Sequence, residues 1–268
     1  AALLPLQRRL LRRLCFGAGA LRHSPALAQL AVAKAEAAAA GPEALLDLAE
    51  LLSLRAYVRT YVSRRPEAVA ELEEALGAAG RARRLSAAPR ARRLLGRTLA
   101  SAAHALLLGA LDEATAGRLR ERWGGGPAML RLAVEELEAG AAAVRAAPGA
   151  PGSALELGTL RASLGECWFC VAAASDHVEE CLLGLSAGDA AAQSRALLQE
   201  ALYIFGEAGL GRTVEHADAL KDYGKLLGCF RLDEAASRAA LEESLRLHGA
   251  LLGERHPRTR NVRRLLER

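Results

Sequence analysis

The chain is expected to be all-α, and three observations predict it. Ala supplies 60 of the 268 residues, and Leu is the other main apolar type; both rank at the top of helix propensity. The residues that favour strands are scarce, with four Phe, four Tyr, two Trp and a single Ile, Ile204. Pro and Gly punctuate apolar stretches that repeat every three to four residues, a helical period rather than the alternation of a strand. With 51% hydrophobic residues the chain can bury a core.

The elements follow in order. A first helix is expected over about 3–15, and Ser24-Pro25 caps a second that runs to about 40. "GP" at 41–42 opens a helix to about 64, and Pro66 opens the next. Pro89 begins a single long helix that stops before "WGGGP" at 123–127. A helix from Pro127 ends near "APGAPGS" at 147–153, which is read as a flexible joint between an N-terminal part, 1–146, and a C-terminal part, 154–268. The remaining helices are expected at about 154–185, 189–206, 213–228, 231–252 and 257–267.

One phrase is written twice. "SRALLQEAL" begins at Ser194 and "SRAALEESL" at Ser237, matching at six of nine positions. The common skeleton places a small residue, a Leu and a second small residue at i, i+4 and i+7, one face of a helix. Ser194, Leu198 and Ala201 fit it, as do Ser237, Leu241 and Ser244; Ala68, Leu72 and Ala75, and Ala133, Leu137 and Gly140, are fainter copies. Small residues let a neighbouring helix approach while the Leu fills the gap, so such helices stack one after another.

"ALKDYGKLL" precedes the second phrase and carries Leu220, Tyr223, Gly224 and Leu227. Followed by Ser237, Leu241 and Ser244, it resembles the two helices of a tetratricopeptide repeat. "LGERHP", with Leu252, Gly253, His256 and Pro257, resembles the kinesin-light-chain variety of that family. Phe16, Gly17, His23 and Pro25 are a weaker echo near the start. The resemblance covers about 190–268 well, 3–85 fairly and the middle poorly. The intervals between phrases, 65, 61 and then 43 residues, depart from the usual period of about 34. What the resemblance implies is a right-handed α-solenoid of antiparallel helical hairpins that works as a non-enzymatic protein-binding scaffold. Its first helices would line a concave groove, with Asp218, Lys221, Lys225 and Arg263 turned inward to hold an acidic peptide segment of a partner. The implied setting is cytoplasmic, ciliary or cytoskeleton-associated. The chain stops at Arg268 inside what would be the first helix of another repeat, which is expected of a cap or of a longer protein.

Charge offers a second reading. The net charge is +5, with 33 Arg among the 36 basic residues. Residues 80–97 hold Arg81, Arg83, Arg84, Arg90, Arg92, Arg93 and Arg97 and no acid. Such a patch suits RNA or an anionic membrane surface, although it lacks the interleaved aromatics of a base-stacking platform; a solvated Arg-rich helix pair is the plainer alternative. Residues 1–35 carry Arg8, Arg9, Arg12, Arg13, Arg22 and Lys34 and no acid, the composition of an organelle transit peptide as well as of an ordinary amphipathic helix pair. No uncharged apolar run reaches the roughly 18 residues of a membrane span.

Motifs of enzymes and metal sites are weak. Cys167, Cys170, His177 and Cys181 are zinc-ligand types, but their spacing is that of a helical seam, and on one continuous helix Cys167 and Cys181 would lie about 21 Å apart. "GLSAG" at 184–188 matches a nucleophile elbow around Ser186, yet no strand precedes it, and His216 and Asp218 do not supply the missing context. "WGGGP" lacks the Lys of a phosphate loop. No catalytic residue, metal, cofactor or small-molecule substrate is expected.

Overall fold

The computed structural model describes residues 65–179 and 181–267. The helices expected before residue 64, the basic N-terminal residues and the Phe16–Pro25 echo lie outside these. All regular structure among the described residues is helical, and the chain divides into two compact units, Ala1–Met129 and Leu130–Arg268.

In the first unit α1, Arg65–Leu85, packs on α2, Pro89–Leu107, and touches α3, Glu113–Trp123. The single helix expected from Pro89 to 122 is therefore two. Gly109 stands at φ +62°, a left-handed conformation that ends a helix at little cost to glycine. Asp112 then opens α3 by accepting the Thr115 N–H at 2.9 Å and its hydroxyl at 2.8 Å. The capping residue was visible in the sequence; the apolar run around it masked the break.

α4, Gly126–Arg145, leads into the second unit, and turns at 146–152 separate it from α5, Ser153–Val178. Next come α6, Ala187–Glu207, α7, Val214–Cys229, α8, Glu234–Leu252, and α9, Pro257–Leu266. α5 ends at Val178 rather than near 185, because Glu179 and Leu183 turn left-handed at φ +56° and +54°. Such φ values are strained for side-chain-bearing residues. Buried Leu182 anchors the turn, and its N–H is accepted by Ser175 Oγ at 3.2 Å.

The duplicated phrase becomes a duplicated joint. α5 and α6 form one hairpin, α7 and α8 the next. In the first, Ser194 Oγ donates to the Gly165 carbonyl at 2.7 Å, and Leu198 sits where a Cβ on Gly165 would approach its Cγ to 2.7 Å. In the second, Ser237 Oγ donates to the Gly224 carbonyl at 2.7 Å, and Leu241 Cγ lies 2.8 Å from the corresponding point on Gly224. Any side chain at either glycine would push the helices apart. Ser194, Leu198, Ala201, Ser237, Leu241 and Ser244 are all buried. The hairpins of antiparallel helices implied by the resemblance are thus present in this unit.

The irregular interval has a mechanical cause. Gly165 and Ser194 are 29 residues apart, whereas Gly224 and Ser237 are 13 apart. The difference lies in the longer end of α5, the 179–186 connection and the extra turn of α6 before Ser194, outside the joint itself.

The two hairpins diverge one turn further on. Fully buried Phe205 crowds Gly158, whose Cβ would meet the ring at 2.6 Å. The matching position of the second hairpin, 43 residues on, is His248. There Ser244 donates to the Ala217 carbonyl at 2.7 Å and also contacts His248 Nδ1 at 3.2 Å. An apolar contact in one copy has become a polar one in the next.

Candidate partner-binding face

α7 carries Asp218, Lys221, Asp222 and Lys225 along one side, as residues three to four apart on a helix must be. α5 flanks that side through Phe169, whose ring centroid is 4.1 Å from Lys225 Nζ. Phe169 is in turn met edge-on by Phe230, centroid to centroid 6.0 Å. α9 flanks the other side through Arg258, whose Nη1 is 2.5 Å from Asp218 Oδ2. α5 and α9 therefore both reach the side of α7 that carries its charged residues.

That face is densely paired. Lys221 Nζ lies 3.0 Å from Asp222 and 3.9 Å from Asp218, and its side chain is 20% exposed. Burial pulls the Lys221 pKa down, but Asp222, Asp218 and Glu166 outweigh it and hold it above the ordinary value. Burial pushes the Asp218 carboxyl up, and Arg258, Lys221 and His248 more than reverse that, leaving it well below the usual range. Asp222 goes the other way. Burial raises it to about 6, Lys221 opposes, and Glu166 and Asp218 add to the rise. Three carboxylates and the cations Lys221, Lys225 and Arg258 thus balance one another at neutral pH.

Ser244, His248 and Asp218 stand in a row that superficially suggests a hydrolase. His248 Nε2 is 3.3 Å from Asp218 Oδ1. Yet Ser244 and His248 are fully buried, and the Ser244 hydroxyl donates to Ala217. The row ties α7, α8 and α9 together. The "LGERHP" segment completes the tie. Gly253 accepts the Thr259 hydroxyl at 2.9 Å, His256 Nδ1 caps α9 by accepting the Arg258 N–H at 3.1 Å, and Pro257 takes the first helical position. Burial, Arg258 and His248 push the His256 imidazole down to about 4, so it is neutral at physiological pH.

Of the residues expected on the groove side, Asp218, Lys221 and Lys225 are brought together. Arg263 is not; it pairs with Glu254 beyond the end of α8. The step of 43 residues that relates Ser194 to Ser237 also relates the caps Thr213 and His256, and it sets Arg264, not Arg263, at the position of Lys221. Sequence reasoning missed Glu166, Phe169, Asp222, His248 and Arg258. Nothing in the sequence signalled Arg258, because no local motif links α9 to α7.

No protein-family model matches the chain, and none of the curated proteins does. Among solved structures it is similar to BtubC from P. vanneervenii, at 19% identity over 87% of this chain and 76% of that one, TM-score 0.42. It is also similar to a Podosopora anserina kinesin light chain with nearly identical TPR-like repeats, at 13% identity over 93% and 96%, TM-score 0.43. A third is the hypoxic regulator of sterol synthesis Nro1, a nuclear import adaptor, at 11% identity over 99% and 92%, TM-score 0.42.

The other sequence candidates are placed as follows. Ser186 of "GLSAG" is the N-cap of α6; it accepts the Asp189 N–H at 3.1 Å and donates to the Asp189 carboxylate at 2.6 Å. Gly184 before it is left-handed, φ +79°. Cys167 and Cys170 are buried in α5. Burial pushes the Cys167 thiol well up and the Cys170 thiol to about 12, which disfavours the thiolate a metal requires. His177 and Cys181 are exposed, Cys181 beyond the end of α5. Among the described residues no group of three or more His, Cys, Asp or Glu is arranged around a common metal position, and no helix is long and apolar enough to cross a membrane. Arg81, Arg83 and Arg84 lie near the end of α1, and Arg90, Arg92, Arg93 and Arg97 lie on α2 across the 86–88 turn. Arg83, Arg90, Arg92, Arg93 and Arg97 are all engaged in interactions.

Proposed function

We propose that the chain is a non-enzymatic protein-interaction scaffold and that its C-terminal hairpins, within 154–268, hold an acidic segment of a partner on the face formed by α5, α7 and α9. The observation that supports this reading is the alignment of Lys225, Lys221 and Arg258 along that face beside the Phe169 ring. Lys221 is committed to Asp222 and Asp218, so its part is to fix the face, and Lys225 with Arg264 meets the ligand. A ring beneath an ammonium group orients it without neutralising it. Because acids and bases balance here, attraction is short-ranged, and recognition rests on several modest contacts.

The test is fluorescence anisotropy with a labelled Glu-rich dodecapeptide at low salt. Lys225→Glu combined with Arg264→Glu is expected to abolish binding while the helical signal and melting stay unchanged. Reversal of Arg83 and Arg84 serves as the control. Full binding by the first variant, with loss in the second, would move the interaction surface to the Arg-rich helices and overturn the assignment.

A further inference from the structure

The first unit contains a different charged face, on α1 and α3. Those helices run side by side in step. Glu73 of α1 is gripped by Arg118 of α3, with Nε at 3.1 and 3.2 Å from the two carboxylate oxygens and Nη2 at 3.0 Å. One turn on, Gly77 faces Arg122, and Gly80 faces Trp123, whose Cη2 lies 3.2 Å from the point a Cβ would occupy. At Gly77 the pattern changes. Nη1 and Nη2 of Arg122 lie 3.7 and 3.8 Å from the corresponding point, and Nη1 of Arg81 lies 3.8 Å from it. Two guanidinium groups thus converge where α1 carries a glycine, and among the described residues neither has a carboxylate partner. Both side chains are exposed. The Trp123 ring, 5.6 Å from the Arg122 guanidinium carbon, holds that group in place.

We propose that Arg81 and Arg122, converging over Gly77, bind the phosphate group of a phosphorylated segment in a protein partner. The chemistry favours phosphate over carboxylate. One guanidinium fork satisfies a carboxylate, as Arg118 does for Glu73 one turn away, whereas two forks carrying two positive charges match a dianion with three acceptor oxygens. The surroundings favour a single anionic point over a polyanion. Glu73 sits one turn before Gly77, and of two exposed acids Glu74 lies two turns before Arg81 on α1 and Glu121 directly precedes Arg122 on α3. A nucleic-acid backbone or an anionic membrane would bring further negative charge against these carboxylates. A lone phosphate on a peptide does not.

This site is separate from the face on α5, α7 and α9, so each can fail alone. The experiment is anisotropy with a labelled Gly-Ser decapeptide carrying one central phosphoserine. Its unphosphorylated and Glu-substituted counterparts, an oligouridylate and phosphatidylserine vesicles are run in parallel. The phosphopeptide is expected to bind about tenfold or more tightly than the Glu peptide and to be displaced by inorganic phosphate. Arg81→Gln with Arg122→Gln is expected to remove that preference, and the paired Lys substitutions, which keep charge but lose the fork, to leave only part of it. Arg120→Gln, whose side chain pairs with Glu113, is expected to change nothing. Equal affinity for phosphorylated and unphosphorylated peptide, an unchanged Gln double variant, or stronger binding of the oligouridylate or the vesicles would overturn the proposal.

Discussion

Ser237 Oγ donates to the Gly224 carbonyl across the α7–α8 hairpin, at the same 2.7 Å by which Ser194 reaches Gly165 across the α5–α6 hairpin. The bond satisfies the buried serine hydroxyl on the second lone pair of a carbonyl that the helix's own i+4 N–H already engages. Gly224→Ala should therefore cost about 1–3 kcal/mol by overpacking, since Leu241 and the Ser237 carbonyl occupy the space. Ser237→Ala should cost about 0.5–1.5 kcal/mol by removing this bond across the joint. Urea titrations followed by circular dichroism measure both, and an unchanged midpoint for Gly224→Ala would contradict the close approach.

The leucines between the small residues fill space rather than approach it. Leu198 and Leu241 are 0% and 5% exposed. Leu198→Ala and Leu241→Ala should each cost roughly 2–5 kcal/mol. A change below about 0.5 kcal/mol would place them on the surface.

How much of this was legible beforehand differs from residue to residue. The joint was readable because Ser194, Leu198, Ser237 and Leu241 repeat in register on one helix face. The break between α2 and α3 was not, because Gly109 and Asp112 sit in a run whose apolar content continues on both sides. The network on α7 was half readable. The resemblance implied that Asp218, Lys221 and Lys225 share one side of a helix, but it could not supply Glu166 or Arg258, which arrive from other helices. Nor could it tell that Lys221 would be enclosed by acids rather than offered to solvent.

His256 gives stability a pH dependence. Its folded value of about 4 lies below the 6.5 of an ordinary imidazole. The unfolded chain therefore binds the extra proton first, and stability should fall as pH drops from about 6.5 to about 4, by roughly 2–3 kcal/mol. Asp222 has the opposite sign. Its raised value makes protonation stabilising between about 6 and 4, which blunts the fall. His256→Asn keeps a capping side chain and removes the titration, so the difference between the two proteins isolates the histidine. Parallel stability curves from pH 7 to pH 4 would refute the assignment.

Cysteine reactivity should divide sharply. Cys167 and Cys170 are buried with raised thiols, whereas Cys181 and Cys229 are exposed. Under native conditions a brief pulse of iodoacetamide should label Cys181 and Cys229, and Cys167 and Cys170 only after unfolding. Peptide mapping by mass spectrometry reads this directly. Rapid native labelling of Cys170 would mean that α5 opens readily.

The unequal reach of the two matched joints bears on the order in which they form. Closing the Gly224–Ser237 contact spans 13 residues, and closing Gly165–Ser194 spans 29. The shorter closure is favoured by about 0.7 kcal/mol of chain entropy, a factor of about three. The α7–α8 hairpin is then the natural nucleus, with α5 and α6 zipping onto a template already made. Pulse-labelled hydrogen exchange during refolding should show amides of α7 and α8 protected first.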